Sequence, residues 1–121
     1  MNWLNYKTGL KNVFFRMNAD KKKASIAIEL THPDAGIQEL FFEQFQEFRL
    51  ILEDILQEEW DWVLHCNDEN GRITSRIVKE IEGVNVFNKQ DWPALISFFK
   101  PRIISLDEFW STVKDGFESL K

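Results

Sequence analysis

Residues 24–56 decide the fold. Ala24-Ser25-Ile26-Ala27-Ile28-Glu29-Leu30 is followed by Thr31-His32-Pro33-Asp34. Beyond these, Ile37, Leu40, Phe41, Phe45, Phe48, Leu52, Ile55 and Leu56 recur at three- and four-residue steps. In the first stretch Ala24, Ile26, Ile28 and Leu30 fall on one side of an extended chain and Ser25, Ala27 and Glu29 on the other. Period two over seven residues predicts a strand with one buried face. The later recurrence is that of an amphipathic helix, with Glu39, Glu43, Gln46, Glu47, Glu53 and Asp54 on its wet side. Asp34 is placed to accept from the open amides of the first helical turn and is favoured there by the helix dipole. Phe42 and Leu50 lie off the main stripe and widen it, toward either a second packing layer or another protein.

Upstream, Trp3-Leu4-Asn5-Tyr6 and Val13-Phe14-Phe15-Arg16-Met17 are short aromatic or β-branched runs, separated by a glycine turn at Lys7 to Lys11. With Ala24 to Leu30 they predict three consecutive antiparallel strands, because parallel neighbours need long crossovers. Downstream, Trp60 to His65 alternates, with Trp60, Trp62 and Leu64 on the inward phase. Asn70-Gly71 suits a turn with positive φ, and Arg72 to Lys79 completes a hairpin. Val84 to Phe87 reads as a short extended piece. Asp91 is a good N-cap and Pro93 sits in the first helical turn, where its missing amide costs little. Trp92, Leu95, Phe99, Ile103, Leu106, Trp110, Val113, Phe117 and Leu120 hold one helical phase across Pro101, which predicts a kink there or two stacked helices. The expected order is β-β-β-α-β-β-α. This is an α+β domain over residues 1–121, with an antiparallel sheet of about five strands and two long helices on one face, the second kinked near Pro101.

The 121 residues carry five Trp, eleven Phe and one Cys, with a formal net charge of −5. A single cysteine rules out an internal disulfide framework and fits a reducing compartment. No apolar run approaches the ~20 residues of a membrane span, and the N-terminus lacks a signal-peptide pattern. These features predict a soluble cytoplasmic protein that is not a membrane partner. The charge is uneven: Lys7, Lys11, Arg16, Lys21, Lys22 and Lys23 against Asp20 give residues 1–23 a charge of +5, while the rest carries −10. Those six basic residues are the candidate anion or nucleic-acid surface, the alternative being a solvated hairpin whose lysines discourage edge pairing. Phe14 and Arg16 share one strand face, the best local case for a base-stacking platform.

Catalytic chemistry finds no complete residue set. His32, His65 and Cys66 are too few and too scattered for a structural zinc site, and His32 with Asp34 reads as turn and cap. His65 and Cys66 are strand neighbours that point to opposite faces, so their adjacency is no dyad. Asp20-x-Lys22 and Pro33-Asp34 echo a magnesium nuclease in the wrong order, and no residues fill nucleophile, base and stabiliser roles together. No catalytic residue, metal ligand or cofactor is therefore assigned.

Several blocks in order resemble the bacterial domain-of-unknown-function family numbered 4268: Asn2-Trp3-Leu4-Asn5-Tyr6-Lys7-Thr8-Gly9, Phe14-Phe15-Arg16-Met17, Ile37-Gln38-Glu39-Leu40-Phe41, Glu59-Trp60-Asp61-Trp62, Gly83-Val84-Asn85-Val86, Asp91-Trp92-Pro93, Phe99 to Ile104 and Leu106 to Trp110. The resemblance spans essentially the whole chain. It implies no activity. Larger relatives that carry such a domain behind a nuclease-like or restriction-associated region imply a nucleic-acid context. Similar stand-alone proteins have a further aromatic helix ahead of the Trp3 block. Its absence would uncover an apolar surface that self-association hides.

The expectation is thus a non-enzymatic interaction or accessory domain that forms a homodimer through a strand edge or through Phe42 and Leu50. The alternatives are a nucleic-acid-binding accessory module and, behind it, a metal-dependent hydrolase.

Overall fold

The computed structural model describes residues 6–120. Its strands are β1 (Val13–Ala19), β2 (Lys23–Leu30), β3 (Asp61–Asn67) and β4 (Ile73–Glu82), all antiparallel in the order β1-β2-β4-β3. Between β2 and β3 lie helices α1 (Ala35–Glu47) and α2 (Arg49–Leu56). After β4 comes α3 (Trp92–Val113), closed by a 3-10 segment at Lys114–Leu120. The chain therefore leaves β2, crosses to the far edge as β3 and returns as β4 into the middle of the sheet.

Two expectations change. The described residues form four strands, not about five: Trp3 to Asn5 of the first expected strand lie outside them, and Tyr6 is not in a strand. The first long helix is two, broken at Phe48, whose φ of −98° and ψ of 11° leave helical geometry. The apolar period runs through that break, so spacing could not reveal it. At the break the Phe48 ring sits 5.9 Å from that of Phe117 and lies over Gly116, where an added Cβ would meet Phe48 at 2.7 Å. The second helix runs through Pro101 as one element, its phase intact.

The inner sheet face follows the predicted alternation. Val13, Phe15 and Ala19 of β1, Ala24, Ile26, Ile28 and Leu30 of β2 and Ile77 of β4 are buried beneath the helices, against Phe41, Phe45, Leu52, Leu106, Phe109, Trp110 and Phe117. Alternation fails in β3. A register shift between Val63 and Cys66 places His65 at φ 52°, so Leu64, expected inward, is exposed. Such bulges put two residues opposite one and cannot be read from alternation. Buried Gln38 of α1 stabilises this one. It donates to the carbonyls of His32 (3.1 Å) and Ile73 (2.9 Å) and accepts from the Ser75 hydroxyl (2.6 Å). That hydroxyl in turn accepts from the His65 amide at 3.0 Å.

The loop from α2 to β3 is tied to α3 by an ion pair. Arg102 donates from two nitrogens to the Glu58 carboxylate, both at 2.9 Å, and the Trp60 indole donates to the same carboxylate at 2.7 Å. Burial alone would raise the Glu58 pKa, but the hydrogen bonds from Arg102 and Trp60 outweigh it and hold the carboxyl below its ordinary 4.5. A carboxylate with a depressed folded pKa stabilises above its unfolded value and loses that contribution as pH falls through the folded one. Glu58→Gln is therefore expected to cost about 1.5–3 kcal/mol at pH 7. In urea titrations at stepped pH the gap to wild type should close as pH falls through the carboxyl's depressed folded value, where both side chains are neutral. A gap independent of pH would disprove this linkage.

Candidate functional site

The surface least explained by folding lies where the 84–92 segment meets the first half of α3. Gly83 turns the chain at φ 77°, and Val84 and Val86 then bury their side chains. Asp91 occupies the predicted N-cap position, but its carboxylate accepts from the Asn85 amide at 2.9 Å instead of capping α3. Trp92 opens the apolar phase of α3 read from the sequence. Its indole N–H donates to the Val86 carbonyl at 2.8 Å, and its ring stands 47% exposed on the helix's first turn. Neighbouring Phe87 is 66% exposed and Ile96 61%.

Together with Met17, Leu95, Phe99, Lys100 and Ile103 these residues line a groove of about 750 Å³. Among the described residues its one charged liner is Lys100. Such a surface excludes water and offers a ligand almost no polar anchor, which suits an apolar protein face better than a charged metabolite or polymer.

Residues 1–114 match the family described as Domain of unknown function (DUF4268). The chain belongs to that family. No curated protein and no solved structure matches it. The DUF4268 match stops short of Phe117, although that ring is fully buried in the centre of the aromatic core.

The DUF4268 chain does not gather its six predicted basic residues. Lys7 and Lys11 precede β1 and Lys21 to Lys23 follow it, so a strand of about 20 Å separates the two groups. The charge of the lysine turn is also partly offset locally. Asp20 accepts from the Lys22 and Lys23 amides at 2.8 and 2.9 Å, which lowers its pKa. The Lys23 ammonium lies 2.8 Å from Glu80, which raises its own. Of the six, Arg16 alone sits with an aromatic among the described residues, its guanidinium 4.4 Å from the centre of the Phe14 ring.

Of the two self-association candidates, Phe42 is withdrawn. It is buried, its ring edge-on to Trp62 at 5.7 Å, and is not available to a partner. Leu50 of α2 is 81% exposed. The carboxylates of the nuclease reading do not meet. Asp20 is in the β1–β2 turn, whereas Asp34 sits beyond the other end of β2 and caps α1, accepting from the Ile37 amide at 3.1 Å. The His32 ring accepts from the Asp34 amide at 3.0 Å, in the turn role read from sequence. Among the described residues no three His, Cys, Asp or Glu side chains gather as metal ligands, and no helix is long and apolar enough to cross a membrane.

Sequence reasoning missed Phe87, which it placed in an extended piece of no stated use. A tryptophan beside proline at a helix start carries no signal of its exposure. That depends on how far the preceding loop folds over it.

Proposed function

We propose that this domain is a non-enzymatic interaction module that pairs with a second copy of itself through the α3 groove. The observation that carries this is the exposure of Phe87, Trp92 and Ile96 around a groove whose only charged liner among the described residues is Lys100. Ile104, also exposed, continues the apolar surface along α3. Antiparallel apposition about a two-fold axis sets the Trp92 end of one helix against the Ile104 end of the other, so one surface serves both sides. Homodimer interfaces are the more apolar class of protein interface, as this groove requires.

Size-exclusion chromatography with light scattering at about 50 μM tests it. Wild type is expected at twice 14.4 kDa. Ile96→Glu, which would bury a carboxylate against apolar groups, should weaken pairing more than a hundredfold and elute as monomer. Leu50→Glu should remain dimeric. A monomeric wild type overturns the proposal, and so does a dimer that Leu50→Glu breaks and Ile96→Glu does not.

A further inference from the structure

The sheet has a second face, turned away from the helices and from the α3 groove. Its residues follow from the register. Phe14, Glu29, Arg76 and Val63 form one row across the four strands, and Arg16, Ala27, Val78 and Asp61 form the next. No residue of these two rows belongs to the apolar core cluster. Ala27, Val78 and nearby Thr74 are nevertheless buried, because the longer side chains around them close over a small-residue floor. The Asn67 to Arg72 hairpin loop and Thr31 to Pro33 wall one end, leaving a polar groove of about 720 Å³.

Two arginines face this groove with unmet donors. The Nε atoms of Arg16 and Arg76 are shielded from water, yet among the described residues neither has a hydrogen-bond partner. Glu29 lies between them in register. Its carboxylate comes to 3.4 Å from Arg16 Nε, close enough for charge pairing but misaligned for a hydrogen bond. Among the described residues Glu29 pairs with Arg16 alone and only neighbours Arg76 in register; Arg72, Asp68 and Glu69 also line the groove, Asp68 being turned to the Asn70 and Arg72 amides at 2.8 and 2.9 Å. A buried donor left unmet is costly, and native proteins rarely keep two side by side without use. Phe14, 38% exposed, holds its ring beside them.

We infer that this face binds single-stranded nucleic acid, the arginines taking phosphate oxygens while Phe14 stacks on an unpaired base. Guanidinium groups match phosphate geometry in a fork that ammonium groups do not provide. An aromatic ring on an open antiparallel sheet can stack only on a base already out of a duplex, which selects single strands. The site differs from the lysine-rich stretch suggested by composition. Arg76 and Arg72 come from β4 and its loop, 60 and 56 residues after Arg16 in the chain.

Fluorescence anisotropy with labelled twelve-nucleotide single strands of DNA and RNA, and with the same sequences as duplexes, tests this at about 20 mM salt. Single strands are expected to bind more tightly than duplexes. With two phosphate contacts the log–log salt slope should be roughly −1 to −2. Arg16→Gln and Arg76→Gln should each weaken binding about tenfold. Phe14→Leu, which keeps apolar volume without a flat ring, should weaken it roughly five- to hundredfold. Lys89→Gln, in the loop before α3, should change nothing. Absence of binding, equal or tighter binding of duplexes, or affinity unchanged in the Arg16 and Arg76 variants would each overturn the inference.

Discussion

Replacing Phe117 by alanine is expected to remove about 3–5 kcal/mol of stability, the range for truncating a buried aromatic ring. Domains of this size are stable by only about 5–15 kcal/mol, so the variant should be partly unfolded near 37 °C. The ring is fully buried. Its centroid lies 4.5 Å from Phe45, 5.2 Å from Trp110, 5.9 Å from Phe48 and 6.3 Å from Phe41. It therefore joins α1, the α1–α2 break and the end of α3 from the 3-10 segment that closes the chain's helical layer. Thermal melts by circular dichroism would show the loss. A Tm within a few degrees of wild type would mean that the segment docks weakly and that the aromatic core closes without it. Phe117→Leu separates ring from volume: retaining most apolar contact, it should cost roughly half as much.

The second large effect is expected at Gln38, where Gln38→Leu should cost about 2–4 kcal/mol in urea denaturation. Leucine fills similar space but leaves the His32 and Ile73 carbonyls without their donor and the Ser75 hydroxyl without its acceptor. Buried polar groups left unmet cost about 1–3 kcal/mol each, and partial relaxation keeps the total below the sum. Ser75→Ala should cost about 1–3 kcal/mol, because the His65 amide then loses its partner in the bulge. The double variant should cost less than the two together, by at least about 0.5 kcal/mol, since both changes break one network. Strict additivity would show that Gln38 and Ser75 act separately. The network also positions the β3–β4 hairpin that walls the polar groove, so these variants should weaken single-strand binding even where they fold.

Period two in Ala24 to Leu30 was legible because every second residue meets the same core, and β2 lies mid-sheet with its inner face wholly covered. The stripes of α1 and α3 were legible for the same reason, as was Asp34 at the start of α1, since a cap acts within one turn. The break at Phe48 was not, because it keeps the helical phase and depends on a ring contact nearly seventy residues away in the chain. Trp62 and Trp92 show the limit of pattern reading. Both fall on inward phases, yet one is half-buried and the other largely exposed. The candidate sites were less legible still. Phe14 and Arg16 could be put on one strand face by counting. Arg76 could be put on a face of its own strand, but nothing local says that β4 lies beside β2.

By itself, then, the sequence determined the α+β class, the helical and extended segments, the capping turn at His32 and Asp34, and the family. All but the family, which is legible only in blocks spread along the chain, are set within a few residues of backbone by propensity and periodicity. Only the tertiary structure decided the β1-β2-β4-β3 order, the burial of Phe42, the dispersal of the lysines and the meeting of Arg16, Glu29 and Arg76 across strands. These depend on which distant segments hydrogen-bond to one another. That choice is made by the packing of the whole core and leaves no periodic trace in any one stretch of chain.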